Sequence, residues 1–184
     1  MIRSHPGRRM QAAGALLIVL SGLAASSPCC AAETYLGAVV DTAGDLRIER
    51  AKGRAVVLRK DPEQVGFDKL AISKDGGSVG WLALYPNCCT SYPIPLKLRV
   101  YSRRHVRTFE GGDLPIWRWK FTGDGRQVSF EQETVHGGMG IHYELRDVAT
   151  GRLIAQYDPP PGTEGQPPPS QDAPPWVAEL DANP

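Results

Sequence analysis

The side chains best suited to chemistry lie in two separate segments of the sequence. Residues 85–95 contain two adjacent cysteines among prolines and tyrosines, and residues 134–142 are rich in glycine and hold two histidines and a methionine. Thiols and imidazoles bind soft metals, and thiols also carry redox chemistry. We therefore take these segments as candidates for binding a ligand or partner. The candidate residues are Tyr85, Asn87, Cys88, Cys89, Tyr92, His136, Met139 and His142.

Cys88 and Cys89 are the only cysteines after residue 32. We favour a disulfide between them, which would fix a tight turn in a loop stiffened by prolines, because the chain offers no other partner there once residues 1–32 are removed. So short a ring strains ideal disulfide geometry. Separate thiols, pairing between chains and metal ligation remain alternatives. The disulfide could also have a purely structural role, as a rigid turn that binds no ligand.

A metal site would gather Cys88, Cys89, His136 and His142, with Met139 as a further soft ligand. The spacing of these residues matches no zinc motif known to us. The two histidines flank a glycine-rich turn, so a hairpin can point them to opposite faces. The sequence therefore assigns no cofactor and leaves metal binding undecided.

Hydrolysis is the weakest of the possible functions. Glu131 and Glu133, with His136, resemble a carboxylate and base, but their alternation predicts a solvated sheet face instead. Residues 76–80 match Gly-x-Ser-x-Gly, which in α/β-hydrolases requires a sharp turn from a strand into a helix. Here Ser78 opens a predicted strand and no helical pattern follows. We therefore expect a protein that is not an enzyme.

The N-terminal 32 residues have the three parts of a secretory signal. Arg3, Arg8 and Arg9 precede an apolar run at 12–25, and small residues end at Ala32. This pattern predicts export to the periplasm or the medium, with no membrane span after cleavage. The remaining 152 residues suit one globular domain. Twenty glycines and sixteen prolines among the 184 residues favour short elements joined by turns.

The charge excludes nucleic acid as a partner. After removal of residues 1–32 the chain has eighteen basic and twenty acidic residues, a net charge of −2, whereas nucleic-acid-binding domains are usually basic. The only basic cluster, at residues 103–107, is predicted to be an exposed turn. An envelope protein or a small ligand is the expected partner, and self-association is a further possibility.

Two segments forty-nine residues apart share one pattern. Residues 70–81 and 119–130 each indicate a strand, an Asp-Gly turn and a second strand, with the turns at Asp75-Gly76 and Asp124-Gly125. Similar strands follow each copy. In the first copy the side chains alternate, which predicts a strand with one buried face. Leu96, Leu98 and Val100 point one way, and Lys97, Arg99 and Tyr101 point the other.

These motifs resemble the repeats of TolB-like and WD-type β-propellers, in which a strand ends in Ser-Pro-Asp-Gly before a second apolar strand. Residues 73–76 (Ser-Lys-Asp-Gly) and 122–125 (Thr-Gly-Asp-Gly) lack the proline of that motif. The resemblance covers residues 67–157 and implies four-stranded antiparallel blades. It also places the loop after the second strand of each unit on one shared face.

The expected fold is all-β, with blade-like units at 67–110 and 116–157 and a partial unit at 33–66. Two units and a part cannot close a ring of at least about four blades, so we expect an incomplete propeller or an irregular sandwich. The aromatic residues of the strands are predicted to fill its core: Trp81, Trp117, Trp119, Phe121 and Phe130. Residues 158–184 hold nine of the sixteen prolines and predict an extended or disordered, acidic tail. Docking of Trp176 and Val177 on a sheet or on a partner is the alternative for its end.

We therefore expect an exported, non-catalytic β-repeat protein that binds or scaffolds in the cell envelope through its loop face. The alternative is a metal-binding or redox protein that uses the Cys88–Cys89 pair.

Overall fold

The computed structural model describes residues 33–112, 114–137, 140–160 and 173–181. The predicted signal segment and Met139 lie outside the described residues, as does most of the proline-rich tail. Within the described ranges, no helix has the length and apolar character needed to cross a membrane.

Eleven strands form three antiparallel sheets in this part of the chain. The first sheet has the order β1-β2-β3, the second β4-β5-β6-β7 and the third β11-β10-β9-β8. The strands are β1 (Tyr35–Val40), β2 (Leu46–Arg50), β3 (Val56–Leu58), β4 (Gly66–Ile72), β5 (Ser78–Tyr85), β6 (Ile94–Ser102), β7 (His105–Glu110), β8 (Ile116–Thr122), β9 (Gln127–Gln132), β10 (His142–Asp147) and β11 (Leu153–Tyr157). The expected all-β fold with two tandem four-stranded sheets is confirmed.

The three sheets stack in chain order with their faces together. Trp81 and Tyr101, from one face of the second sheet, form a cluster with Leu46 and Ile48 of the first sheet. The opposite face of the second sheet, which includes Leu98, packs against the third sheet. None of the sheets closes into a barrel or ring among the described residues, so the arrangement is an irregular, layered sandwich.

Burial of the second sheet differs from the expectation for β6. Leu98 and Val100 are fully buried as predicted, but Tyr101 on the other face is only 6% exposed. Its ring lies 5.5 Å from that of Tyr35 on the first sheet. The prediction of one solvated face is therefore wrong for this strand, because the first sheet covers the face that the alternation assigned to solvent.

The aromatic residues of the strands are buried to different degrees. Trp81 and Phe130 are 1% and 0% exposed, as predicted. Trp119 and Phe121 are only partly buried and pack edge to face, with ring centroids 5.1 Å apart. They lie at the margin of the core between the second and third sheets, which includes Phe130. Trp117 is also partly buried, and its Nε1 donates a hydrogen bond to the carbonyl of Glu133 at 3.0 Å.

The described end of the tail differs from the expected disorder. Residues Pro175–Asp181 form a helix, α1. Its Val177 and Leu180, 1% and 3% exposed, pack with Tyr143 on the face of the third sheet that points away from the second. Proline suits the first turn of a helix, and the apolar residues recur at helical spacing. The helix therefore covers a face that would otherwise expose Tyr143.

Candidate functional site

The two Asp-Gly turns, which we call the corners, lie next to each other at one edge of the stack. A Cβ atom placed on Gly125 would come within 2.6 Å of Ser73 Cβ and 2.9 Å of Asp75 Oδ1. The turn between β6 and β7 lies at the same edge, since Ser102 Oγ donates to the carbonyl of Gly77 at 3.2 Å. The turn between β10 and β11 lies beside it, since Arg107 donates to the carbonyl of Ala149 at 2.6 Å. Each strand that leaves a corner therefore runs toward the opposite edge, which we call the loop rim.

The first corner is fixed by its own side chains. Asp75 Oδ1 accepts hydrogen bonds from Ser73 Oγ at 2.6 Å and from the Gly77 amide at 2.9 Å. These two bonds, the one from the hydroxyl first, lower the pKa of the Asp75 carboxyl below its ordinary value. Gly76 has a φ of +69°, which glycine adopts without strain. The first of the two predicted Asp-Gly turns is thus present.

The second corner is built differently from the first. Residues Gly123–Gly125 form a single 3₁₀ turn, closed by the Arg126 amide, which donates to the carbonyl of Gly123 at 3.3 Å. Asp124 itself has a φ of +57°, a conformation that aspartate tolerates better than most residues. The two copies therefore share the position of the turn but not its geometry.

The loop rim contains the two segments singled out from the sequence, residues 86–93 after β5 and the described part of residues 133–141 after β9. The first segment is held together from within. The Asn87 side chain accepts from the Cys89 amide at 3.3 Å and donates to Thr90 Oγ1 at 3.2 Å. Thr90 Oγ1 in turn donates to the carbonyl of Tyr92 at 2.6 Å. These bonds close the segment into a compact loop.

Cys88 and Cys89 lie at the exposed tip of this loop as free thiols. Their sulfur atoms are in contact, with Sγ···Sγ 2.9 Å. The hydrogen bond and the charge interaction with Cys88 raise the pKa of the Cys89 thiol. The predicted disulfide is not formed in this structure, but the two sulfurs are adjacent as that pairing requires.

Tyr92 and Tyr85 occupy different environments, although both were candidates for binding. Tyr92 is 51% exposed on the loop rim. Tyr85 is 6% exposed and belongs to the core between the first and second sheets. Its hydroxyl donates to Asp61 Oδ2 at 3.3 Å, and Lys97 Nζ lies 5.4 Å from its ring centroid. Burial is the main reason that the pKa of Tyr85 is raised. Its placement therefore corresponds to a packing role.

The two candidate histidines also differ. His136 is exposed in the second segment, where Thr134 Oγ1 donates to the carbonyl of Gly137 at 2.6 Å. His142 opens β10, and its Nδ1 lies 2.5 Å from Asp158 Oδ1. The second ring nitrogen lies 3.4 Å from Glu144 Oε1, so the imidazole bridges two carboxylates. His142 is thus held by the third sheet, whereas His136 is presented to solvent.

The structure does not assemble the metal site considered from the sequence. No group of three or more His, Cys, Asp or Glu side chains in the described part of the chain is arranged to hold a metal ion. Cys88, Cys89, His136 and His142 are all described, so they do not form such a group. The loop rim therefore offers the cysteine pair and the exposed aromatic ring as separate features of one surface.

Glu131 was expected on a solvated sheet face, but it is buried. It is 4% exposed and forms an ion pair with Arg118 on the neighbouring strand. It is also the register partner of Tyr143, so it lies on the face of the third sheet against which α1 packs. The predicted solvated face is wrong for this residue, because strand alternation cannot show that the tail returns to cover the sheet. Ser78 is likewise buried, at the start of β5.

A groove on the corner side was not anticipated from the sequence. It has a volume of about 370 Å³ and lies between the second corner, Lys74 and the helix residue Glu179. Asp124 and Thr122 are among the residues that line it. The groove arises from the docking of α1, whose Glu179 carbonyl accepts from Lys120 Nζ at 2.9 Å. The only sequence signal for it was the helical spacing of Trp176, Val177 and Leu180 after two prolines.

Comparison of the chain with protein-family models, curated proteins and solved structures finds no match.

Proposed function

We propose that this chain is an exported, non-catalytic β-repeat protein that binds another protein of the cell envelope through its loop rim. The observation that carries the proposal is the exposure of Tyr92 on a loop held by internal hydrogen bonds. Loops positioned by a rigid scaffold are where proteins most often place recognition residues. A preformed loop also loses little conformational entropy on binding.

The chemistry of the loop favours a protein partner. Residues 86–93 contain no charged side chain, and they present a tyrosine between polar residues and prolines. Tyrosine is enriched among the residues that dominate protein interfaces, and charged residues are depleted at interface centres. A nucleic acid or an anionic surface would instead require basic side chains, which this segment lacks.

A distant relationship to TolB-like propellers accompanies this proposal. Two observations support it. Two consecutive four-stranded sheets pack face to face, each with an Asp-Gly corner between its first and second strands, and the two corners lie side by side at one edge. In such an arrangement the loops after β5 and β9 belong to one functional side. The open stack then corresponds to a few blades that do not form a ring.

Export is tested by locating the mature protein. We expect cell fractionation to find it in the periplasm or the medium, with an N-terminus close to Glu33. A protein recovered from the cytoplasm with residues 1–32 intact would contradict export without bearing on the binding surface.

Binding is tested by site-specific photo-crosslinking in the producing cells. A photoreactive phenylalanine at position 92 should give a discrete crosslinked protein, while the same group at the exposed corner-side residue Arg104 should not. A Cys88→Ser, Cys89→Ser chain serves as a matched background that excludes disulfide-mediated capture. Equal crosslinking from both positions, or none from position 92, would show that the loop rim is not the binding surface.

A further inference from the structure

We propose that Cys88 and Cys89 form a redox-active pair that cycles between the dithiol and an intramolecular disulfide by exchange with small-molecule or protein disulfides. This activity is additional to the proposed binding function and does not depend on it.

The first support is the geometry of the pair. The two sulfurs are 2.9 Å apart, and both residues are exposed, so a disulfide substrate can reach them from solvent. The Asn87 side chain fixes the turn by accepting from the Cys89 amide. The pair is therefore oriented by the loop before any oxidant arrives.

The second support is the adjacency of the two residues in the chain. Neighbouring Cα atoms are about 3.8 Å apart across a trans peptide, whereas ordinary disulfides join Cα atoms about 4.4–6.8 Å apart. The closed form is consequently strained and easily reduced, since strained or exposed disulfides are the labile ones. A bond of this kind suits cycling better than permanent cross-linking.

The exchange balances in two steps. The thiolate of one cysteine attacks one sulfur of a disulfide R–S–S–R, forming a mixed disulfide and releasing R–S⁻, which takes up the proton that this cysteine lost. The other cysteine then loses its proton and attacks the cysteine sulfur of the mixed disulfide, which releases the second R–S⁻ to be protonated. The cysteine pair loses two electrons and two protons in total, and R–S–S–R is reduced to two R–SH.

The test uses the full chain with Cys29→Ser and Cys30→Ser, so that only the loop cysteines react. After treatment with glutathione disulfide and then an alkylating reagent, we expect intact mass to show neither alkylation nor bound glutathione. Excess reduced glutathione should reopen the bond and restore two alkylated thiols. In this background, each single variant, Cys89→Ser or Cys88→Ser, should stop at a glutathione adduct on its remaining cysteine, because no second thiol is present to release the glutathione.

Three results would overturn the proposal: glutathione bound to both cysteines of the parent, a covalent dimer, or thiols that stay fully alkylatable. A disulfide that excess glutathione cannot reopen would show a structural cross-link and exclude cycling. Circular dichroism of each variant verifies that the sheets are retained.

Discussion

Gly80 of β5 lies directly against the indole ring of Trp119 on β8. A Cβ atom at position 80 would lie within 3.0 Å of the ring. The second and third sheets can therefore approach here only because residue 80 has no side chain. The indole Nε1 donates to the carbonyl of Lys69 at 3.0 Å, which joins the same two sheets at their edge.

Replacing Gly80 with alanine should destabilise the fold by about 1–3 kcal/mol, because the added methyl forces Trp119 out of its position. Gly37→Ala is the matched control, since a Cβ there meets nothing closer than Glu49 Cβ at 3.9 Å. Urea unfolding followed by tryptophan fluorescence measures both variants. Equal midpoints for the two would contradict the close approach of the sheets.

Asp75→Asn should reduce stability at neutral pH by about 1 kcal/mol, because the two hydrogen bonds at the first corner lose the carboxylate charge. The folded state lowers the pKa of Asp75 below its ordinary value of 3.8. The carboxylate's contribution to the free energy of unfolding is therefore present above pH 3.8 and is lost as the pH falls through the lower pKa of the folded state.

Urea midpoints of the parent and Asp75→Asn should consequently converge as the pH is lowered below 3.8. Replacement of the exposed Glu63 by glutamine is the control and should leave the parent's pH profile unchanged below that value. A constant difference between parent and Asp75→Asn at every pH would exclude the charge as its source.

Leu180→Ala should cost about 2–5 kcal/mol of α1 docking, because a buried side chain is removed from the contact with Tyr143. Limited proteolysis should then cleave the helix faster than in the parent. Ala178→Ser, on the exposed side of the same helix, should change stability by less than about 0.5 kcal/mol. If the parent and both variants are cut at one rate, the helix is not held by this face.

Asn87→Ala should slow closure of the Cys88–Cys89 disulfide by about fivefold, the equivalent of one hydrogen bond of about 1 kcal/mol. The lost bond is the one that orients the Cys89 amide. The mixed disulfide with glutathione should therefore persist longer, as measured by quenched mass spectrometry. Ser91→Ala, in the same loop, is the control. Unchanged closure in Asn87→Ala would mean that the turn is not ordered by this side chain.

Local sequence patterns were sufficient to predict the strands and the corners. Asp75-Gly76 and Asp124-Gly125 mark turns through backbone preferences that act over a few residues. The burial of Tyr101 and Glu131 could not be predicted in the same way, because it depends on which sheet or helix covers each face. Strand alternation distinguishes the two faces of a strand, but it does not identify what packs on them.

Sequence patterns also predicted only part of the candidate site. The cysteine pair and Tyr92 are exposed on the loop, as their proline-rich surroundings suggested. Tyr85 falls in the core because it is the last residue of β5. The bridge of His142 to Asp158 joins residues sixteen positions apart, which spacing alone does not reveal.

The order of the layers determines how the backbone will respond to transient opening. The second sheet is covered on both sides, whereas β1 and β3 are edge strands of a three-stranded sheet with Val39 and Val57 exposed. Amide hydrogens should therefore exchange with deuterated solvent most slowly in β5 and fastest in β3. Protection of the amide hydrogens from exchange thus decreases from the middle of the stack outward. The corner at Asp75 leads directly into β5, the strand expected to be protected longest.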